Sequence, residues 1–106
     1  MSYIVSVKAF DGRQVALLED DWLHIRFRHP EVGFTTEPLS EALTQPDEAY
    51  RNGRGGIHVL KRVDGEHFLV VIYEPADNEG LVRTAYLTSV QRKARRYRGL
   101  LCLKRS

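Results

Sequence analysis

Residues 57–88 contain the pattern that most restricts the fold of this chain. Three runs of β-branched and aromatic residues are separated by short polar turns, and these runs are 57–63, 67–74 and 81–88. Runs of this length bounded by Gly, Pro, Asn and Asp are typical of β-strands, and Asp64–Gly65 marks a hairpin turn. Because "FLVVIY" is apolar on both faces, we predict that the second run is the central strand of an antiparallel sheet.

A hairpin and two helices are predicted ahead of this segment. Asp20 or Asp21 could cap the first helix by accepting hydrogen bonds from its free N–H groups, and Pro30 should end it. The predicted elements are a strand at 3–10, a turn at Asp11–Gly12, a strand at 13–19, a helix from Trp22 to Arg28 or His29, a helix at 37–45 and a short edge strand at 47–52.

A basic helix is predicted at residues 89–99. Four residues at helical spacing would dock it, namely Val90, Ala94, Tyr97 and Leu101. Gly99 could also end the helix and leave "LLCL" as a last edge strand. The predicted fold class is therefore α+β, with an N-terminal hairpin and two short helices followed by a mainly antiparallel sheet of about four strands and a basic C-terminal helix. The length of 106 residues predicts one domain, 1–106.

Charge is distributed unevenly along the chain. Residues 1–79 carry 14 acidic and 8 basic side chains, a net charge of −6, whereas residues 80–106 carry 8 basic side chains and no acidic one. Of the 16 basic residues 12 are arginine, which binds phosphate through two hydrogen bonds and stacks on bases. The C-terminal stretch is therefore predicted to bind a polyanion, with RNA favoured. The alternative is a solvated helix face that balances the acidic first part of the chain.

The chain has one cysteine, Cys102, which excludes an internal disulfide and a thiolate metal cluster. We expect a reducing, cytoplasmic location. No run approaches the ~18 apolar residues that a membrane helix needs, and the first ten residues lack the features of a signal peptide. Nucleotide-binding glycine loops and the serine-hydrolase motif G-x-S-x-G are also absent, so no cofactor is predicted.

The first predicted helix should place a histidine at its end. Trp22, Ile25 and His29 lie on one helical face, so His29 would stand at the end of a buried stripe, where the chain turns at Pro30. Such a position orients an imidazole and partly desolvates it. In the alternative interpretation, His29 only caps the helix C-terminus, where a cationic ring is stabilised by roughly 0.3–1 kcal/mol.

The same helix offers candidates for proton transfer. Histidine titrates nearest neutrality, so His24 and His29 could serve as general base and general acid. Glu31 could orient His29 or act as a base itself, and Arg28 lies one helical turn after His24.

Metal binding is not favoured by the histidine pattern. His24 and His29 are five residues apart rather than four, and no zinc motif surrounds them. His58 and His67 lie on paired strands of the predicted hairpin, but no third ligand is evident.

The third predicted strand carries a row of hydroxyl groups. Alternation places Thr84, Tyr86 and Thr88 on one face together with Val82. A buried row would need hydrogen-bond partners, whereas an exposed row could bind phosphate or ribose. Either Lys61 or Arg62 should share that face, because adjacent residues of a strand point to opposite sides.

The helix motif Trp22-x-His24-Ile25-x-x-Arg28-His29-Pro30-Glu31 and the strand motif Thr84-Ala85-Tyr86-x-Thr88 resemble a known group of proteins. In their order and spacing they are similar to the small phage- and plasmid-associated nucleases of the barnase–EndoU–colicin–RelE superfamily, and more loosely to BrnT-type toxins. The resemblance covers roughly residues 20–90.

That resemblance implies two helices followed by a four-stranded antiparallel sheet, and RNA cleavage without a metal. In such cleavage the 2′-hydroxyl attacks the adjacent phosphate, helped by a base, an acid and cations that stabilise the charge. His24 and His29 match the histidines of the helix motif, and Thr84 and Tyr86 match the strand motif. The stabilising cations would be Lys61, Arg62 and Arg83.

The sequence thus leads to the hypothesis of a metal-independent endoribonuclease of toxin or phage origin. The expected catalytic residues are His24, His29, Thr84, Tyr86 and Lys61. The expected RNA-binding residues are Arg28, Arg62, Arg83, Arg92, Arg95 and Arg96. One alternative is a nucleic-acid-binding module without catalysis, and another is an interaction protein in which segment 89–103 docks an acidic partner such as an antitoxin.

Overall fold

The apolar run predicted to be the central strand lies in the middle of a seven-stranded sheet. The computed structural model describes residues 3–105, so Met1, Ser2 and Ser106 lie outside the described residues. The elements in chain order are β1 (Tyr3–Lys8), β2 (Gln14–Leu18), α1 (Glu19–Arg28), a 3₁₀ turn (Pro30–Val32), α2 (Glu37–Thr44), β3 (Glu48–Arg51), β4 (Ile57–Arg62), β5 (His67–Ala76), β6 (Glu79–Ser89), α3 (Val90–Arg96) and β7 (Leu101–Arg105). Across the sheet the strand order is β1-β2-β6-β5-β4-β3-β7.

The hairpin of β5 and β6 has a tight turn and one irregularity. Asp77 and Asn78 form the turn, and Asp77 adopts a φ of 55°, which Asp tolerates better than most residues. The register shifts where Ile72 pairs with Thr84 but Tyr73 pairs with Val82, so Arg83 is the extra residue of a bulge in β6. The predicted turn between the second and third runs, residues 75–80, is therefore mostly strand.

A parallel pairing joins the N-terminal hairpin to the rest of the sheet. Residues 14–16 of β2 pair with residues 79–81 of β6. A Cβ on Gly80 would lie 2.9 Å from Tyr73 Cδ2 and 3.3 Å from Val15 Cγ2, so glycine permits the close approach of the strands. The structure is α+β, but the predicted sheet of about four strands is wrong, because the hairpin belongs to the same mixed sheet.

Helices cover both faces of this sheet. One face packs against α1 and α2, which bury five apolar side chains there: Trp22, Ile25, Leu39, Ala42 and Leu43. The other face packs against α3 and against Tyr97, the residue that caps this helix. Four strand residues are buried on this face: Tyr50, Leu60, Phe68 and Val70. We call these two sides of the sheet the α1/α2 face and the α3 face, after the helices that cover them.

The C-terminal segment corrects the predicted helix at 89–99. Helix α3 ends at Arg96, Gly99 turns the chain with a φ of 83°, and β7 then pairs antiparallel with β3. A basic C-terminal helix is therefore wrong as the last element, and β3 is not the edge strand that was expected. Tyr97 is buried and Val90 is half-buried as predicted, but Ala94 and Leu101 are exposed because the helix is too short to dock them.

Helix α1 also differs from its predicted start. It begins at Glu19 directly after β2, so Asp20 and Asp21 lie in its first turn instead of capping it. Its end at Arg28, with His29 as the C-cap ahead of Pro30, is confirmed. None of the described helices has the length and apolar character that crossing a bilayer requires.

Candidate nucleic-acid interface

His29 is held at the point where α1 ends. Its backbone N–H donates to the carbonyl of Ile25 at 2.7 Å, and its side-chain Nδ1 lies 3.5 Å from a carboxylate oxygen of Glu31. The His29 side chain is 35% exposed. The imidazole is therefore partly desolvated and still reachable from solvent, as expected for a residue at the end of the buried stripe.

Side chains from both layers of helices meet at Tyr86. The His29 ring, at the end of α1, has its centroid 5.6 Å from that of the Tyr86 ring, with the two planes tilted by 41°. The guanidinium carbon of Arg96, on α3, lies 5.6 Å from the Tyr86 ring centroid. β6 makes this meeting possible, since β2 pairs with it only as far as Leu81 and leaves its second half without a strand on that side.

A cleft of about 450 Å³ opens beside this group of residues. We call it the arginine cleft; it is lined by Tyr86, Leu87, Thr88, Arg92, Arg95 and Arg96. The three arginines are exposed, and none of them forms an ion pair with a residue in the described range 3–105. Three uncompensated guanidinium groups around one cleft favour binding of a multiply charged anion.

The position of α3 is set by contacts on its inner side. Ser89 caps the helix by accepting a 3.1 Å hydrogen bond from the N–H of Arg92. Lys93 Nζ lies 2.7 Å from a carboxylate oxygen of Glu48, and both side chains are mostly buried. Because Lys93 points inward to the sheet, the arginines on either side of it in the sequence are left to face the cleft.

A buried polar chain runs beneath α3. Asn52 Oδ1 accepts hydrogen bonds from the N–H groups of Arg54 and Gly56, so its amide nitrogen faces His58 Nε2 at 3.0 Å and donates to it. Nε2 is then the acceptor, and His58 Nδ1–H donates to the Tyr97 hydroxyl at 2.8 Å. This assignment fixes the tautomer of the imidazole.

Burial keeps His58 and Tyr97 in this chain of hydrogen bonds uncharged. Burial, reinforced by the positive charge of Arg96, lowers the pKa of His58 to about 4. Burial also raises the pKa of Tyr97, together with the neighbouring Tyr86 hydroxyl. His58 is therefore a neutral structural group near pH 7 and not a proton carrier.

The row of hydroxyls lies on the α3 face, because Thr84, Tyr86 and Thr88 pair with β5 residues of that face. Val82 does not share their face, because the bulge shifts it into the opposite core. The Tyr86 hydroxyl oxygen is buried next to Tyr97 but makes no hydrogen bond of ordinary geometry with a described residue. Thr88 is 6% exposed. What Tyr86 presents to the cleft is therefore its ring and not its hydroxyl.

The remaining candidate residues lie at other places. His24 is exposed, and its side chain has no hydrogen bond, ion pair or ring contact within the described part of the chain. Lys61 points to the α1/α2 face, where its Nζ donates to the Gln45 carbonyl at 2.9 Å. Arg62 points to the α3 face and lies 4.7 Å from the Phe68 ring centroid. Arg28 is exposed, and Arg83 lies 3.7 Å from Glu74.

No group of three or more His, Cys, Asp or Glu side chains converges in a way that could hold a metal ion, as far as residues 3–105 are concerned. His58 is bound to Asn52 and Tyr97, and His67 Nδ1 lies 3.1 Å from an Asp64 carboxylate oxygen. The two histidines of the central hairpin therefore have separate partners.

Sequence reasoning missed the residues that hold the site in place. The inward position of Lys93 and the roles of Asn52 and His58 were not predicted. A signal for His58 was present, since β4 has polar His58 and apolar Leu60 on the face that Tyr97 covers.

No family model, curated protein or solved structure matches this chain significantly.

Proposed function

We propose that this protein is an endoribonuclease that binds RNA in the arginine cleft and cleaves it beside His29. The observation that carries the proposal is that His29 and Arg96 both approach one ring, that of Tyr86, each at 5.6 Å. A proton carrier and a phosphate-binding cation thus approach the same ring, and cleavage of a phosphodiester requires both kinds of group. The motif resemblance to the barnase–EndoU–colicin–RelE superfamily points to the same chemistry.

In the proposed reaction the 2′-oxygen of a ribose attacks the neighbouring phosphorus and the bond from phosphorus to the 5′-oxygen breaks. The products are a 2′,3′-cyclic phosphate and a 5′-hydroxyl. One group takes the proton of the 2′-hydroxyl, and another supplies a proton to the departing 5′-oxygen. His29, whose ring approaches that of Tyr86, and Glu31, whose carboxylate lies 3.5 Å from His29 Nδ1, would share these roles.

The three arginines supply charge stabilisation in this proposal. Arg96 approaches the same Tyr86 ring as His29, and Arg92 and Arg95 line the same cleft. They would hold the backbone phosphate and stabilise the extra negative charge of the transition state. The Tyr86 ring would orient His29 and Arg96. In this proposal that role replaces the contact between the Tyr86 hydroxyl and phosphate that the sequence predicted.

The test is cleavage of end-labelled RNA in the presence of EDTA. Wild type is expected to cut and to leave 2′,3′-cyclic phosphate ends, and His29→Ala is expected to lose cleavage while keeping RNA affinity. His24→Ala is the matched control, since it removes an imidazole from the same helix at an exposed position. Retained cleavage in His29→Ala, or equal loss in both variants, would overturn the assignment of His29.

RNA binding without cleavage is the second candidate function. It is favoured by the exposed and unpartnered position of His24 in the described structure, which leaves the two histidines of the motif apart. Salt-dependent RNA binding by wild type with no strand scission would support it. Binding of an antitoxin to segment 89–103 is compatible with either function, because β7 exposes Leu101 and Leu103 on a basic edge.

A further inference from the structure

A second cleft with three arginines lies on the sheet at some distance from the first. Its volume is about 360 Å³, and its walls include Arg51 at the end of β3, Arg54 in the turn from β3 to β4, and Arg83 at the bulge of β6. Asn52 and Ile72 also line it. We call it the turn cleft.

The turn that carries Arg54 is rigid. Asn52 Oδ1 accepts hydrogen bonds from the backbone N–H of Arg54 at 2.9 Å and of Gly56 at 3.0 Å. The backbone N–H of Asn52 donates to the Gly56 carbonyl at 2.9 Å. Gly55 supplies the left-handed conformation with a φ of 90°. A turn fixed in this way positions the Arg54 backbone in advance, so that ligand binding has to order only the side chain.

The charge of the turn cleft is positive after its one carboxylate is counted. Arg83 Nε lies 3.7 Å from a carboxylate oxygen of Glu74, and both side chains are more than half exposed. Arg51 and Arg54 are exposed and form no ion pair with any residue between 3 and 105. Two guanidinium groups thus remain available for an anion.

Strand β6 connects the turn cleft to the arginine cleft. Thr84 pairs with Ile72, which lines the turn cleft, and Tyr86 lies two residues further along on the same face and lines the arginine cleft. Leu87 lies four positions after Arg83 in the strand, which corresponds to roughly 13 Å. Between the clefts β6 presents Thr84 and the Tyr86 ring, and its residues 84–88 include no carboxylate side chain.

We propose that the turn cleft binds a second phosphate of the RNA strand held in the arginine cleft, so that the strand runs along β6 for a few nucleotides. This inference rests on the proposed function, because it takes the ligand of the arginine cleft to be RNA. Two phosphate sites on one rigid strand, with an aromatic ring between them, match the way single-stranded nucleic acid is bound by basic grooves with stacking side chains.

The experiment compares RNA binding by wild type, Arg51→Gln/Arg54→Gln, Glu74→Gln and the control Lys8→Gln, which removes an exposed charge at the far edge of the sheet. Binding is measured as a function of salt with an oligoribonucleotide of about ten residues and with a dinucleotide. For the longer RNA, the salt slope of the double variant should fall by about 0.7, since the turn cleft binds one phosphate and each phosphate contact to a single strand contributes about 0.7.

Two further results are expected. Glu74→Gln should bind the longer RNA more tightly, since it removes the one negative charge of the turn cleft. Dinucleotide binding should be the same in all four proteins, because a dinucleotide cannot reach from one cleft to the other.

Two outcomes would overturn the inference. If wild type binds RNA but the double variant keeps the salt slope of Lys8→Gln, the turn cleft is not a phosphate site and the proposed function stands. If wild type has no RNA affinity, both proposals fail, and binding of an acidic protein to α3 becomes the better explanation of the arginines.

Discussion

The hydroxyl of Tyr73 donates a 2.7 Å hydrogen bond to a carboxylate oxygen of Asp11, which lies 62 residues earlier in the chain. Arg13 donates to the same carboxylate from its backbone N–H and its guanidinium, and its Nε donates to the Asp77 carbonyl at 2.9 Å. Burial alone would raise the pKa of Asp11, but these hydrogen bonds together lower it. The turn between β1 and β2 is thereby tied to the central strand and to the turn between β5 and β6.

Tyr73→Phe should therefore destabilise the protein. A hydrogen bond to a charged group contributes about 1.5–3 kcal/mol, so we expect a loss of that size in the free energy of unfolding, measured by urea denaturation. Tyr3→Phe is the control, because Tyr3 is 61% exposed on the edge strand. Equal midpoints for the two variants would show that the contact contributes little.

Gly80→Ala should weaken the junction between β2 and β6. The added methyl group would lie 2.9 Å from Tyr73 Cδ2 and 3.3 Å from the Glu74 carbonyl oxygen, both inside ordinary contact distance. We expect a loss of about 1–3 kcal/mol in the free energy of unfolding, as is usual for overpacking of a core. Gly65→Ala, where a Cβ meets no atom within 4 Å, should change stability little, and a similar loss in both variants would contradict the prediction.

The stability of the protein should depend on pH through His58. The pKa of this residue is about 4 in the folded protein and 6.5 in the unfolded chain, so between these values the unfolded state binds more protons. The free energy of unfolding should therefore fall as the pH drops from 6.5 towards 4, by at most about 1.4 kcal/mol per pH unit, and the effect should level off below pH 4.

His58→Asn is the variant that isolates this effect. An asparagine amide can still donate towards Tyr97 but does not titrate in this range. Denaturation curves at a series of pH values should show a smaller slope between pH 6.5 and 4 for the variant than for wild type. Parallel curves would mean that His58 does not cause the acid sensitivity.

Lys61→Ala should leave RNA cleavage unchanged, although the sequence suggested Lys61 as a catalytic cation. Its ammonium group lies on the α1/α2 face, bound to the Gln45 carbonyl at the end of α2. Loss of this hydrogen bond should lower the free energy of unfolding by about 0.5–1.5 kcal/mol. Steady-state cleavage rates, measured well below the melting temperature, test whether cleavage is unchanged. A large fall in the rate of Lys61→Ala would contradict the prediction.

Local sequence patterns predicted most elements of the fold but not the way the hairpins join. Period-two alternation and the Asp-Gly turns are local signals, and they place β1, β2, β4, β5 and β6 close to their observed bounds. The parallel pairing of β2 with β6 depends on contacts between residues some 60 positions apart, which no local pattern encodes. The same holds for β7, whose exposed residues carry no buried face that would mark its partner.

The candidate site was predictable in part. The position of His29 followed from the helical spacing of Trp22 and Ile25 and from Pro30, which are neighbours in sequence. The inward turn of the Tyr86 hydroxyl depends on Tyr97, and the face of Lys61 depends on strand register; both are tertiary facts. The approach of His29 and Arg96 to the same Tyr86 ring requires the open half of β6, which follows from the short parallel pairing.

The separation of the site residues along the chain also bears on synthesis. The candidate site combines a side chain at position 29 with a cleft lined by positions 86 to 96, and the sheet that supports it pairs residue 14 with residue 79. Contacts so distant in sequence form late, because closing long loops costs entropy before the contacts compensate for it. A ribosome making this protein would therefore have to release the chain as far as residue 96 before the cleft exists, so a shorter nascent chain carries no assembled site.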